Sequence, residues 1–152
     1  TVYIMTYEWG YTFSPPMAVA PLNQVKLVLD YAVSQIPSSK ILMGIPNYGY
    51  DWTLPYQQGV TRARSIGNSQ AIDIARREGA EIFFDQTAQS PYFNYVDSQG
   101  KEHEVWFEDA RSIRAKLQLV ADYNLLGSGY WTLMRPFIQN WELLNAMFNI
   151  QQ

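Results

Sequence analysis

The clearest periodicity in the chain runs through residues 22–36, where Val25, Val28, Leu29, Ala32, Val33 and Ile36 recur at three- and four-residue spacing. That spacing places one apolar stripe on an α-helix, and Pro37 ends it by excluding helical backbone from the residue before it. Short apolar runs flank the helix: "VYIM", residues 2–5, and "KILMGIP", residues 40–46, both read as buried strands. Between the first run and the helix, "YTFSPPMAVAP" carries Pro15 and Pro16, which fix φ and remove two donors, so this stretch is an irregular loop. Strand, loop, helix, strand is the βα unit of a parallel sheet.

The alternation then breaks for about sixty residues. "SIGNSQAIDIARREG" predicts a helix capped near Asn68 or Ser69 and ended by Gly79, followed by the strand "EIFFD". "PYFNYVDSQGKEHEVWF" predicts a hairpin whose turn is Asp97 to Gly100. Residues 51–108 therefore read as a small α+β insertion after the second strand. Regular order resumes with the helix "DARSIRAKLQLVADYN", N-capped by Asp109, then the strand "GSGYWTL" and a last helix from about Gln139 to Ile150. The fold class is thus α/β. Ligands of such folds gather at the carboxyl ends of the parallel strands. Tyr7 and Glu8, Tyr48, and Trp131 stand at three of those ends and are expected to converge on one cleft.

Composition narrows the ligand. Of 152 residues 47% are hydrophobic and 16% charged, which describes a folded domain of ordinary size. The net charge is −3 and the only near-cluster of basic residues is Arg62, Arg64, Arg76 and Arg77, so nucleic acid is not an expected partner. Aromatic residues make up 15% of the chain, and sugar-binding clefts and adhesive protein interfaces both use such rings. The absence of cysteine excludes disulfides, thiolate metal sites and a cysteine nucleophile. His103 lies between Glu102 and Glu104 on a strand, where alternating side chains cannot converge on one ion, so a solvated hairpin strand is expected, with no metal and no cofactor. No apolar run is long enough to span a membrane. Thr1 opens directly inside a strand-like run with no leader pattern, which suggests a piece of a longer protein.

Four stretches together carry a resemblance. "Met5-Thr6-Tyr7-Glu8" resembles the Met-x-Tyr-Asp motif of glycoside hydrolase family 18. "Gly44-Ile45-Pro46-Asn47-Tyr48-Gly49" resembles its Gly-x-Pro-x-Tyr-Gly motif, and "Gly129-Tyr130-Trp131" the end of its eighth barrel strand. Residues from about Tyr50 to Glu108 resemble the family's α+β insertion, which walls one side of the cleft. Within the family the chain is most similar to the bacterial spore-cortex and peptidoglycan-lytic N-acetylglucosaminidases. The resemblance implies the last three βα units of a TIM (β/α)8 barrel, residues 1–50 and 109–152, with residues 51–108 inserted. Two departures stand out. Glu8 replaces the usual Asp, and the family's Asp-x-x-Asp-x-Asp-x-Glu motif, which supplies the general acid, occurs nowhere in the chain.

The family mechanism is substrate-assisted: the sugar's own acetamido oxygen attacks the anomeric carbon, with retention of configuration. By resemblance, Tyr7 donates to that acetamido group, Glu8 accepts from a sugar hydroxyl, and Trp131 floors the reacting subsite. Tyr48 lines the cleft and Met5 packs beneath it. The implied partner is a chitin or peptidoglycan glycan strand, and the implied location is extracellular, in the cell wall or on the spore. A fragment without the acid is expected to be inactive alone, and its open barrel edges to favour self-association. Two further readings stay open at this point, a non-catalytic glycan-binding module and an interaction protein with an aromatic surface.

Overall fold

The computed structural model describes residues 1–150. In chain order the elements are β1 (Val2–Ile4), α1 (Leu22–Gln35), β2 (Ile41–Pro46), β3 (Gly49–Thr53), β4 (Arg64–Ile66), α2 (Asn68–Glu78) and β5 (Phe83–Asp85). They continue with β6 (Ser90–Val96), β7 (Glu102–Trp106), α3 (Ala110–Asp122), β8 (Gly127–Trp131) and α4 (Ile138–Met147). The chain is α/β, as its alternation predicts. One sheet is parallel in the order β1-β2-β8, with Val2 opposite Ile41 and Leu42 opposite Gly127. The other is antiparallel in the order β4-β3-β7-β6-β5.

The helical stripe behaves as its spacing requires. Val25, Leu29 and Ala32 of α1 are buried in one cluster with Ile41, Met43 and Ile45 of β2 and with Ile113, Leu117 and Val120 of α3. Each of the larger side chains, Ala32 excepted, contributes about 1.5–3 kcal/mol on full burial, and this cluster fixes the helices against the parallel sheet. α3 begins at Asp109 in a full capping box, its carboxylate accepting from the Ser112 backbone N–H while the Ser112 hydroxyl accepts from the Asp109 N–H.

Four expectations need correction. The run at residues 2–5 forms a strand but not a buried one: Val2 and Tyr3 are each 40% exposed. β1 pairs with β2 alone, and no described element covers its other edge. The cap of α2 is Gly67 rather than Asn68 or Ser69, and it makes no side-chain hydrogen bond. The Asn68 amide oxygen turns instead to accept from the Glu108 backbone N–H at 2.9 Å. β3 and β4, which the sequence pattern did not reveal, complete the antiparallel sheet. Finally, the hairpin strand β7 is not simply solvated, because the His103 side chain is only 13% exposed between Asp51 and Asp97.

Candidate functional site

Glu8 follows β1 in the left-handed region at φ 72, a conformation that costs a non-glycine residue on the order of 1–3 kcal/mol. The flanking backbone holds it there. The buried Thr6 hydroxyl donates to the Gly44 carbonyl at 2.6 Å, and the Trp9 and Gly10 N–H groups donate to Val19 and Ala18 of the Pro-rich loop. Glu8 is thereby turned toward β3, where its Oε1 accepts from the Tyr48 hydroxyl and, at 3.0 Å, from the Tyr50 hydroxyl.

The loop after β8 closes the other side. Buried Asn47 donates from its backbone N–H to the Trp131 carbonyl and from Nδ2 to the Arg135 carbonyl, both at 2.8 Å. The Arg135 guanidinium donates to the Ser65 hydroxyl at 2.8 Å and lies 5.9 Å from the Tyr48 ring centroid. Glu8, Tyr48, Tyr50, Ser65, Trp131 and Arg135 line one open cavity of about 130 Å³. Trp131 is 59% exposed there, leaving its indole available to a ligand.

Electrostatics follow from this packing. Burial, then the hydrogen bond to Glu8, pushes the Tyr48 phenol well above its ordinary value. Burial, then the charge of Glu8 and the hydrogen bond to it, pushes Tyr50 up to about 12. Both phenols are therefore held protonated as donors. Glu8 keeps a second carboxylate oxygen for a further donor, Arg135 supplies a cation, and Trp131 supplies a flat apolar face. A polyhydroxylated ring matches that set, one face stacking on the indole while its hydroxyls meet the carboxylate and the guanidinium.

Of the residues singled out from sequence, Glu8, Tyr48 and Trp131 come together in the cavity. Tyr7 lies beside it rather than in its lining, packed between the core of the parallel sheet and the aromatic cluster around Tyr48. Its ring crosses Gly44 so closely that a Cβ there would stand 2.6 Å from its Cε1, so glycine is required at that position. Met5 does not pack beneath the site; it is 69% exposed, because no described residue covers the end of β1. Trp9 packs against the core of the parallel sheet. Trp52 is fully buried, its indole N–H donating to the Ser14 carbonyl at 2.7 Å. Sequence reasoning missed Tyr50, Ser65 and Arg135. Tyr50 carried a signal, since residues two apart on an extended chain share a face with Tyr48; Ser65 and Arg135 arrive from distant segments and carried none. Among the described residues no group of three or more His, Asp or Glu is arranged to hold a metal ion, and no helix is long and apolar enough to cross a membrane.

A model of the glycosyl hydrolases family 18 matches residues 1–135. The chain is 53% identical over 149 residues to the cortical fragment-lytic enzyme of Bacillus subtilis (strain 168), which covers 98% of this chain and 35% of that relative. The crystal structure of the Bacillus cereus spore cortex-lytic enzyme SleL superposes with a TM-score of 0.96 at 48% identity, covering 98% of this chain and 34% of that one. A chitinase from Chromobacterium violaceum superposes with a TM-score of 0.87 at 34% identity, covering 94% and 44%. The chain thus spans about a third of the length of the cortex-lytic relatives.

Proposed function

The chain belongs to the glycosyl hydrolases of family 18, and we propose that it is the C-terminal part of a retaining, substrate-assisted hydrolase of β-linked N-acetylglucosamine polymers, with spore-cortex peptidoglycan as the leading substrate. The observation that carries this reading is the Glu8 carboxylate, clamped by Tyr48 and Tyr50 beside the exposed face of Trp131. In this proposal Trp131 stacks on the reacting sugar, and Glu8 accepts from a sugar hydroxyl with its remaining oxygen. Tyr7 donates to the acetamido oxygen as charge develops there. Tyr48 holds Glu8 in place, and Met5, exposed beyond the end of β1, is taken as a further substrate contact. Identity with cortex-lytic enzymes favours peptidoglycan over chitin.

Residues 1–50 and 109–152 are taken as part of a TIM barrel and residues 51–108 as the wall of its cleft. The parallel order β1-β2-β8 with its covering helices supports that division. The location that goes with this reading is extracellular, in the cell wall or on the spore. The general-acid motif does not occur in the chain, so binding without turnover is the expected behaviour of these residues alone. A glycan-binding module is the alternative, and that missing motif is what favours it.

Hydrolysis of a chromogenic N,N′-diacetylchitobioside, with Glu8→Gln as control and with binding of N-acetylglucosamine oligomers measured alongside, tests the glycan reading. Saturable binding lost in Trp131→Ala, without turnover, is the expected result. Turnover that disappears in Glu8→Gln would mean that Glu8 acts as the acid and that the chain is catalytically complete. Absence of any binding to N-acetylglucosamine oligomers would sink the glycan reading.

A further inference from the structure

The antiparallel sheet carries a second cavity on its other face, and its chemistry differs from that of the cleft. Ser65 of β4 pairs with Tyr50 of β3, and both face the cavity that holds Glu8. Their neighbours Arg64 and Asp51 also pair, and alternation along each strand turns them to the opposite face. There, strand residues and the last turn of α2 enclose a cavity of about 690 Å³.

The two aspartates on the floor of this cavity are already engaged. Asp51 accepts at Oδ2 from the Tyr95 hydroxyl at 2.8 Å and from Arg64 at 3.2 Å, while its Oδ1 meets His103 Nδ1 at 2.8 Å. Asp97 accepts from the Gln99 and Lys101 backbone N–H groups, and its other oxygen lies 3.1 Å from His103 Nε2. Both ring nitrogens of His103 are therefore taken up, and Tyr95 stacks on its ring at 4.5 Å.

The guanidinium donors are in the opposite condition. Arg62 forms no ion pair among the described residues and lies 5.5 Å from the Phe13 ring centroid. Arg64 engages one nitrogen with Asp51, and Arg77 engages only Nε, with Glu78. A guanidinium presents five N–H donors in a rigid fork suited to carboxylates. Glu78 keeps one carboxylate oxygen, and Thr53 and Ser98 their hydroxyls, but most of the unoccupied hydrogen-bonding capacity lies on the three guanidinium groups, over a floor locked by Asp51, His103 and Asp97.

We propose that this face is a second binding site, which takes a ligand bearing carboxylates through Arg62, Arg64 and Arg77. β4 is an edge strand of this sheet, so a branch of a molecule seated in the cleft need pass only that strand to reach it. A glycan strand carrying acidic peptide branches has that shape; this assignment of the ligand's source rests on the glycan reading above, whereas the carboxylate chemistry does not.

Calorimetric titration of the chain with L-alanyl-D-glutamate, its diamide, and the same dipeptide on an N-acetylated disaccharide tests the site. The dicarboxylate is expected to bind with an affinity that falls as salt rises, and the diamide not to bind. The exposed pair Arg62→Gln and Arg77→Gln, together, are expected to weaken binding by roughly tenfold or more. Tighter binding of the disaccharide-linked form would assign the site to glycan branches, and equal binding to free acidic peptides; either upholds it. Equal affinity for acid and diamide, or no change in the double variant with an unaltered thermal melt, would overturn it. Triacetylchitotriose, titrated in parallel, reports on the cleft alone, so its failure to bind would count against the glycan reading and leave the carboxylate site standing.

Discussion

At the scale of single residues, the site turns on how one carboxylate changes two phenols. Burial and the Glu8 charge both disfavour the Tyr50 phenolate, which is why its pKa is pushed up to about 12. A tyrosine in an unfolded chain titrates near 10, so the native state is the poorer proton donor. Its stabilisation is fully present below a pH of about 10 and is lost as pH rises toward about 12. Alkaline unfolding across that window should therefore be less steep in Tyr50→Phe. In Glu8→Gln the charge is gone but the burial remains. Ultraviolet tyrosinate titration should show the Tyr50 step moving downward while staying above the ordinary value; an unmoved step would mean that burial alone sets it.

At the scale of elements, one buried ion pair ties α3 to the end of β7. Lys116 Nζ lies 3.0 Å from Glu108 Oε2, and both side chains are 1% exposed. Burial pushes the Glu108 carboxyl up even against the Lys116 ammonium beside it, so the carboxylate depends on that cation. Lys116→Met should leave it stranded and cost roughly 3–5 kcal/mol, whereas Glu108→Leu combined with Lys116→Met should fall close to the original stability. Chemical denaturation of the two variants checks this; equal losses in both would show that packing rather than charge pairing matters at this junction. Glycine 79 serves the neighbouring element in a simpler way, ending α2 at φ 63 with its N–H on the Ala75 and Arg76 carbonyls.

At the scale of the whole molecule, β1 and β8 each pair only with β2 among the described residues. Val2, Tyr3 and Met5 are exposed along one side of that sheet and Leu126, Trp131 and Met134 along the other. Unpaired strand edges flanked by apolar side chains recruit further strands. The chain alone should associate with itself as its concentration rises, and sedimentation velocity should show the weight-average mass climbing accordingly. A single monomeric species up to high concentration would remove the proposal of open-edge association.

Local pattern alone determined α1 and α3, whose buried face repeats every 3.6 residues, β2 and β8 as short apolar or aromatic runs, and the hairpin of β6 and β7 through the turn residues Asp97 to Gly100. Motif order likewise marks Glu8, Tyr48 and Trp131, which the fold brings to one cavity. Tertiary structure decided the rest. β3 is buried on both faces and β4 is only three residues long, so neither leaves an alternation to read. Arg135 and Ser65 lie 70 residues apart and meet only because Asn47 pins the loop after β8. Arg62, Arg64 and Arg77 look scattered in sequence, yet pairing of β4 with β3 and the packing of α2 bring them to one cavity. The exposure of Met5 and the engagement of His103 by two aspartates were decided in the same way. What covers a strand end, or what faces a ring nitrogen, depends on partners that the local sequence does not contain.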